Sequence, residues 1–436
     1  MEKSRNEFIS MDVPEDVLFL TARLRSRGYE GFAVGGAVRD SLLGRKPGDW
    51  DICTSARPEE TEAVFSDFPV IETGLKHGTV TVLLSHVPYE ITTYRIDGPY
   101  SDGRHPDSVR FGRNLTEDLA RRDFTMNAMA FSPLEEELTE FQDASERSEN
   151  RPEGNPGSLR RCRGILADPF GGRDDLQNKI IRTVGDPAAR FQEDALRIVR
   201  AFRFAAVLGF DLEEKTGRSC AELAESVHRV SKERVQTELN KLIAGPFAGE
   251  ILAKYRDAVS EALGLALADP ESLLRLDGMK AGKAGRLAFI FGSNVRKAME
   301  ELKYDNKTKK QAGEVDRFIR NFQNPPQGDR PERYAALKNF LREYGKDVTL
   351  EGLRVLAEQP ETGQEALACS VDVQGILTRG ECWSLEQLAV NGEDLKAKGI
   401  TGKETGETLD FLLDKVIDGQ VPNEKEKLLK LIQKKN

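Results

Sequence analysis

The spacing of apolar residues changes near residue 142 of this 436-residue chain, and this change constrains the fold more than any other feature. Before it, residues 78–85 ("GTVTVLLS") and 89–96 ("YEITTYRI") alternate and are rich in β-branched side chains, which predicts strands. Residues 14–28 have helical spacing and end at a glycine, which predicts a helix. From about residue 165 onward the spacing is helical. We therefore expect a small α/β head followed by a long all-helical region.

Two polar stretches indicate breaks between domains. Residues 143–163 hold two prolines and two glycines, which predicts a loop or an insertion beside a domain boundary. Residues 322–334 ("FQNPPQGDRPERY") predict a second linker. At roughly 150 residues per domain, the length alone predicts about three domains.

Charge and composition exclude several classes of protein. The net charge of −9 by itself argues against a nucleic-acid partner, but arginines and lysines cluster locally, and such clusters can bind a polyanion while other surfaces stay acidic. No apolar run approaches the roughly 20 residues that span a membrane, and the first residues lack the apolar segment of a signal peptide. A cytoplasmic location and no membrane partner are therefore expected. The five cysteines form no C-x-x-C pair, so neither a zinc site nor a disulfide framework is indicated.

A glycine pair lies between a predicted strand and a predicted helix. The run "GFAV" leads into Gly35 and Gly36, and helical spacing then continues to Gly44. Such a pair lets backbone N–H groups approach a phosphate at the start of a helix. Taken alone, an ordinary turn explains the two glycines better.

The stretch "GDWDIC" follows the glycine pair and carries two carboxylates one residue apart. If it is a strand, Asp49 and Asp51 share one face, while Trp50 and Ile52 point into the core. Like charges so close are costly unless a cation compensates them, and carboxylate oxygens are ligands that Mg²⁺ prefers. Two such ions can activate a 3′-hydroxyl and stabilise a leaving pyrophosphate.

Neighbouring residues favour the metal site over an ordinary edge strand. Arg39 and Asp40 follow the glycine pair at a suitable distance. Glu90, on the predicted strand "YEITTYR", is a candidate third carboxylate, although an ordinary glutamate at a strand edge fits it nearly as well.

A second polar segment, "DLARRDFTMNAMAF" (118–131), precedes an apolar run with helix-like spacing. Arg122 offers a bidentate fork for a phosphate or a ribose. Asp123 can accept hydrogen bonds from ribose hydroxyls, or it can cap the helix that follows.

Residues 190–210 predict one amphipathic helix. At about 100° per residue its apolar arc contains Ala195, Ile198, Val199, Phe202, Ala205 and Ala206. A polar ridge on the other side contains Asp194, Arg197, Arg200 and Arg203. We interpret the three arginines as unpaired and therefore as a surface for phosphates and a base.

The hydrogen-bonding groups of this ridge predict a selectivity rule. An aspartate only accepts and an arginine only donates, so Asp194 and Arg197 in one plane can accept from an exocyclic amine and donate to the adjacent ring nitrogen. Cytosine and adenine present that pattern, whereas uracil and guanine present its reverse.

The order of five motifs resembles the class II tRNA nucleotidyltransferases, the bacterial-type CCA-adding enzymes and poly(A) polymerases. The resemblance covers at least residues 30–245 and, more loosely, the C-terminal tail. The motifs are "GGAVRD…GDWD", "RRDFTMNA", "DPFGGRDDL…IRTVGDPAARF", "EDALRIVRAFRFA" and "SKERVQTEL".

The resemblance implies a polymerase-β-like nucleotidyltransferase head followed by an all-helical neck, body and tail. The implied domains are the head at 1–164, the neck for base selection at 165–245, the body at 246–328 and the tRNA-binding tail at 329–436. It also implies that the segment 168–172 ("DPFGG") belongs to a hinge between head and neck.

The same resemblance implies roles for the candidate residues. Asp49 and Asp51 would bind Mg²⁺, and Glu90 would assist catalysis. Gly36 and Arg39 would contact the triphosphate, and Arg122 and Asp123 the ribose region. Asp194 and Arg197 would recognise the base, and Arg200 and Arg203 would form the nucleotide face.

The function that follows is template-independent addition of CMP, CMP and AMP from CTP and ATP to tRNA 3′ ends, with release of pyrophosphate. The expected partner is the acceptor arm of tRNA, and no DNA partner is expected. Residues 94–111 resemble a flexible loop that CC-adding members lack, so addition of CC alone is disfavoured. The alternatives are an A-adding enzyme, a poly(A) polymerase of the same family, or a tRNA-binding protein that has lost catalysis.

Overall fold

The computed structural model of the chain describes residues 5–71, 74, 78–98, 108–112, 114–146, 158–322, 326 and 330–433. Within these residues no helix combines the length and the apolar character needed to cross a bilayer.

An eight-stranded sheet dominates the first part of the chain, with the strand order β1-β10-β9-β2-β3-β6-β5-β4. Its neighbouring strands are antiparallel except for the parallel pair β3 and β6. Two further pairs, β7 with β8 and β11 with β12, form small separate sheets. The strands are β1 Arg5–Pro14, β2 Gly31–Val34, β3 Asp51–Thr54, β4 Val70–Ile71, β5 Thr79–Leu84, β6 Val87–Thr93, β7 Arg95–Asp97, β8 Val109–Phe111, β9 Ala130–Pro133, β10 Leu159–Asp168, β11 Ile180–Ile181 and β12 Asp211–Leu212.

Helices make up most of the rest of the described chain. They are α1 Glu15–Ser26, α2 Gly36–Leu42, α3 Pro58–Val64, α4 Leu115–Ala120, α5 Glu135–Glu146, α6 Gly172–Gln177, α7 Pro187–Glu193, α8 Leu196–Leu208, α9 Glu214–Glu222, α10 Lys232–Ile243, α11 Ala248–Lys254, α12 Arg256–Leu263, α13 Pro270–Leu273, α14 Lys283–Phe291, α15 Val295–Glu301, α16 Asn306–Asn321, α17 Arg330–Leu356, α18 Gly363–Thr378, α19 Gly392–Lys396, α20 Lys403–Ile417 and α21 Lys425–Gln433. The expected fold class, an α/β head followed by a helical region, is confirmed.

The predicted loop at 143–163 is wrong where the structure describes it. Helix α5 continues to Glu146, and β10 begins at Leu159 and joins the large sheet between β1 and β9. Residues 147–157 of that prediction lie outside the described residues. Strand β1 carried no strand prediction at all, yet it pairs with β10 along its whole length.

The chain divides into two compact units. Unit 1 comprises Met1–Ser231 with Asp257–Leu263, and unit 2 comprises Lys232–Arg256 with Gly264–Asn436. Unit 2 has one core around the buried Phe318 and Phe322 and another around Leu412 and Leu413. The finer division at residues 164, 245 and 328 stays a prediction.

Sheet register in unit 1 brings the predicted polar segments to one end of the sheet. Val34, the last residue of β2, pairs with Asp51 on one side and with Ala130 on the other. Ile52, which follows Asp51 on β3, pairs with Ile91, which follows Glu90 on β6. Asp51 and Glu90 therefore occupy corresponding positions on two neighbouring strands. The glycine pair, the carboxylates and the segment preceding β9 therefore meet at the same edge, although they are far apart in sequence.

Candidate active site

Gly35 makes the sharp turn from β2 into α2, and it needs to be glycine for two reasons. Its φ of 74° lies in the left-handed region that side chains disfavour. A Cβ at this position would also lie 2.9 Å from Nη1 of Arg122. The turn therefore lets an arginine from another segment approach the backbone closely.

The two predicted metal ligands, Asp49 and Asp51, lie at the start of β3, and the prediction needs one correction. The strand begins at Asp51, so Asp49 lies before the strand, whereas the sequence predicted both carboxylates to be strand residues. Both carboxylates are exposed, whereas Trp50 and Ile52 are 8% and 1% exposed, as predicted. The buried Trp50 anchors the short segment that carries both carboxylates.

The carboxylate of Asp51 has a raised pKa. Although part of its side chain reaches solvent, the protein atoms crowded around it disfavour its charged form, and the charges of Glu90 and Asp49 add to this effect. Arg122 opposes it only in part. A carboxylate in this situation is stabilised by an added cation. No three His, Cys, Asp or Glu side chains among the described residues are grouped to hold a metal ion, so a role for Glu90 stays a prediction.

Arg122 and its neighbour Arg121 are held by one buried carboxylate. Asp118, whose side chain is fully buried, accepts hydrogen bonds from Nε and Nη2 of Arg121 at 3.0 and 2.7 Å. Nη2 of Arg122 lies 3.5 Å from its other oxygen. Asp118 also accepts from the backbone N–H of Arg95 at 3.3 Å. The start of β7 is thus joined to the arginine pair.

Asp123 lies at the centre of a hydrogen-bonded network. Its Oδ1 accepts from the backbone N–H of Phe124 at 2.8 Å and from Nδ2 of Asn127 at 3.0 Å. Its Oδ2 accepts from Nε and Nη2 of Arg200 at 2.8 and 2.6 Å. Oδ1 of Asn127 in turn accepts from Nη1 of Arg39 at 2.7 Å. The helix expected after Asp123 is instead a 3-10 turn at Thr125–Asn127 followed by β9, so Asp123 caps no α-helix.

The network explains the low pKa of Asp123. Burial alone would raise this pKa, but the charge of Arg200 and the hydrogen bonds from Asn127 and Arg200 outweigh burial and lower it to about 2. The carboxylate is therefore ionised at neutral pH and presents a fixed negative charge beneath the arginines.

The single helix predicted over 190–210 is interrupted near its start. Helix α7 ends at Glu193, Asp194 is extended with φ −147° and ψ 102°, and α8 begins at Leu196. Oδ1 of Asp194 accepts the backbone N–H of Leu196 at 3.1 Å. Asp194 therefore belongs to the break between two helices. The predicted apolar arc is buried at every position.

The sequence interpretation that the arginines of the polar ridge are unpaired is wrong, because Arg197 and Arg200 both have ion-pair partners. Nη1 of Arg197 donates to Glu193 at 2.6 Å and to the backbone carbonyl of Arg190 at 3.0 Å, and Nη2 donates to the carbonyl of Arg121 at 3.1 Å. Arg200 pairs with Asp123. These contacts fix the direction of both guanidinium groups, because each hydrogen bond requires an N–H group to point at its acceptor.

One cavity of about 420 Å³ gathers every predicted nucleotide-binding residue together with Asp51, whereas Asp49 and Glu90 do not line it. Its lining contains Gly35, Gly36, Arg39, Asp51, Arg121, Arg122, Asp123, Asn127, Asp194, Arg197, Arg200, Arg203 and Phe204. The excess of arginine over carboxylate suits a polyanionic ligand, and arginine forks suit phosphate oxygens.

Besides Arg121, four residues of this site had no role in the sequence interpretation. Asn127 joins Arg39 to Asp123, Asp118 holds the arginine pair, Glu193 holds Arg197, and Phe204 lines the cavity. Glu193 stands four positions before Arg197, a spacing that predicts an ion pair on a helix. No comparable spacing marks Phe204.

The predicted flexible loop at 94–111 is described only at its ends. Strands β7 and β8 pair there, with Arg95 opposite Phe111. Residues 99–107 lie outside the described residues.

Three family models match successive parts of the chain. The poly A polymerase head domain matches residues 31–147, which carry the glycine turn, the carboxylates and the "RRD" segment. The RNA- and SrmB-binding site of polymerase A matches residues 209–258. Domain 2 of the tRNA nucleotidyltransferases matches residues 286–432.

Relatives match the chain along nearly its whole length. The CCA-adding enzyme of Geobacillus stearothermophilus is 35% identical, and that of Geobacillus kaustophilus (strain HTA426) is 36% identical, each over 97% of both chains. The crystal structure of the Bacillus stearothermophilus CCA-adding enzyme in complex with CTP matches with a TM-score of 0.74 and 32% identity, covering 97% of each chain. The chain therefore belongs to the CCA-adding enzymes, a family of class II tRNA nucleotidyltransferases.

Proposed function

We propose that this chain adds CMP, CMP and AMP, taken from CTP and ATP, to the 3′ end of tRNA and releases pyrophosphate. One observation carries the proposal: a single arginine-lined cavity joins Asp51, the glycine turn and the Asp194–Arg197 segment. The similarity to CCA-adding enzymes, which extends along nearly the whole length of both chains, supports the proposal. An A-adding enzyme or a poly(A) polymerase is not favoured, because the relatives that resemble the chain along nearly its whole length are CCA-adding enzymes.

The carboxylates of this end of the sheet fit a divalent cation, and we propose Mg²⁺. Asp49 and Asp51 would hold it, and the raised pKa of Asp51 supports this choice, because burial and, after it, the charges of Glu90 and Asp49 disfavour the charged carboxylate, which a bound cation would stabilise. When bound, such an ion lowers the pKa of a 3′-hydroxyl and neutralises charge on the leaving pyrophosphate. Glu90 lies close enough to act on the charge of Asp51 and would assist catalysis.

The arginines around the glycine turn would bind the triphosphate and ribose. Gly36 has no side chain to obstruct a phosphate, and Arg39 lies above it with its direction set by Asp40 and Asn127. Arg122 lies against the turn and is held by Asp118. Because the protein holds these donors in place before a ligand arrives, little of the binding energy is spent on ordering them.

Asp123, Arg200 and Arg203 would form the nucleotide face beside the turn. Arg200 is paired with Asp123, so a ribose hydroxyl would add to that pair as a further hydrogen-bonding partner.

Asp194 and Arg197 would select the base. The accepting carboxylate and the donating guanidinium match the amine and ring nitrogen of cytosine and of adenine. Three hydrogen bonds, to Glu193 and to two backbone carbonyls, hold Arg197, which supports a fixed rather than an adaptable reader. A site that leaves buried polar groups unpaired with the wrong base can discriminate strongly.

The helical part of the chain would bind the acceptor arm of tRNA by its backbone shape. The matches to an RNA-binding region at 209–258 and to a tRNA nucleotidyltransferase domain at 286–432 support this assignment. The cytoplasmic location and the absence of a DNA partner remain predictions.

The test offers the protein three tRNA transcripts that end at the discriminator base, at C and at CC. Each nucleoside triphosphate is supplied singly and in mixture, and the new 3′ ends are sequenced. We expect CCA, CA and A to be added, respectively. Extension by U or G as readily as by C and A would overturn the base-selection assignment, and addition of A to the CC-ended transcript alone would identify an A-adding enzyme.

A further inference from the structure

The ring of Phe204 lies at the meeting point of three cavity arginines. The guanidinium carbons of Arg39, Arg200 and Arg203 lie 5.0, 5.3 and 3.5 Å from its centroid. The side chain lines the cavity while only 3% of the residue is exposed. Arg39 comes from α2 and the other two from α8, so one ring contacts arginines from two separate elements.

The orientation of this ring is fixed from behind. The fully buried Phe124 packs edge-on against Phe204, with centroids 5.6 Å apart and an interplanar angle of 82°. The backbone N–H of Phe124 donates to Asp123, the carboxylate that pairs with Arg200. The ring is thus anchored to the same network that holds the arginines.

A ring can hold several cations in a way that carboxylates cannot. The face of an aromatic ring is electron-rich and attracts a guanidinium group lying over it, by an amount equivalent to about 2- to 30-fold in affinity per contact. A stacked guanidinium is held through its flat face, so its N–H groups, which lie in the plane, stay directed outward. Asp40 and Asp123, by contrast, hold Arg39 and Arg200 by occupying N–H donors.

The geometry points to Phe204 as a positioning residue for nucleotide binding: its ring is the platform on which the guanidinium groups of Arg39, Arg200 and Arg203 rest, and it adds to the hydrogen bonds that direct Arg39 and Arg200. The proposal rests on the proposed function and adds to it a residue that touches no reacting atom. It distinguishes Phe204 from an ordinary core residue, whose loss would lower stability and leave nucleotide affinity unchanged.

The test compares CTP binding by calorimetry in the full-length wild type and three variants. Phe204→Leu keeps an apolar side chain and removes the ring face, and we expect it to weaken CTP binding about tenfold. Phe204→Tyr keeps the ring and should bind within about twofold of the wild type. Phe202→Leu is the matched control, because Phe202 lies on the same helix, is 1% exposed and does not line the cavity. It should lower Tm without changing CTP affinity.

A double-mutant cycle shows whether Phe204 acts through the arginines. In an Arg203→Met background, Phe204→Leu should weaken CTP binding by a clearly smaller factor than in the wild type, because the cation closest to the ring is already absent. Equal factors in the two backgrounds would contradict the platform role, as would a Phe204→Leu variant that binds CTP like Phe202→Leu. If the wild type itself bound no CTP, the proposed function would fail instead, so the two failures are distinct.

Discussion

The buried pair of Asp123 and Arg200 makes a quantitative prediction about acid stability. The pKa of Asp123 falls from 3.8 to about 2 on folding, and each pKa unit corresponds to about 1.4 kcal/mol. The ionised carboxylate therefore contributes about 2 kcal/mol to the unfolding free energy at pH 7. Because the folded pKa is depressed, this contribution is present above pH 4 and is lost as the pH falls toward 2.

The variant Asp123→Asn removes this titration while nearly keeping the shape of the side chain. We expect it to lower the unfolding free energy at pH 7 by at least about 2 kcal/mol, because an amide N–H₂ then faces the donors of Arg200. The difference from the wild type should shrink as the pH falls from about 5 to about 2.

The assay uses the two tryptophans of the chain, one in each unit. In a Trp383→Phe background, Trp50 reports on unit 1 alone, so urea unfolding can be followed there at a series of pH values. Glu214→Gln, which breaks an exposed pair with Arg218, is the control and should cost only a few tenths of a kcal/mol at any pH. A stability difference for Asp123→Asn that stays constant from pH 7 to pH 2.5 would refute the linkage.

Two further predictions concern residues that hold the site in place. Glu193→Gln should raise KM for both CTP and ATP about fivefold, since it weakens the contact that directs Arg197; an unchanged KM in steady-state assays would contradict this. Gly172→Ala should destabilise unit 1 by about 2 kcal/mol or more, because its Cβ would lie 2.2 Å from the carbonyl oxygen of Thr125. Gly171→Ala, with open space and a φ of 74°, should cost only about 1 kcal/mol, and thermal melts that reverse this order would exclude the steric explanation.

Much of the candidate site was predictable because its chemistry resides in short segments. Gly35, Asp51, Arg122 and Arg197 each stand in a local pattern whose residue types suggest a role. Sheet register then brings the segments together, since Val34 pairs with both Asp51 and Ala130. That meeting depends on strand order, which no local pattern specifies.

The parts that the sequence did not reveal depend on long-range pairing. The first half of strand β10 reads as a polar loop because three of its residues 159–163 are arginines, and the structure shows Arg160 and Arg163 paired with Glu140 and Glu136 of α5. The partner of Arg200 lies 77 positions away, so the ridge looked unpaired.

The break at Asp194 was hidden for a different reason. Helices α7 and α8 both bury apolar residues, among them Phe191 and Ile198, so helical spacing continues across the interruption. Only the extended backbone of Asp194 marks it.

The most direct test of the central claim measures CMP addition to a tRNA transcript that ends at the discriminator base, in the wild type and in Asp51→Asn. Asp12→Asn is the control, because Asp12 is an exposed carboxylate on strand β1 of the same sheet that does not line the cavity. We expect Asp51→Asn to slow addition by more than about a hundredfold, because changing even an outer partner of a metal ligand costs about 10- to 100-fold, and we expect the Kd for tRNA to stay within about twofold. Asp12→Asn should behave like the wild type. A rate of CMP addition by Asp51→Asn within about tenfold of the wild type would contradict the assignment of this cavity as the site of nucleotide transfer.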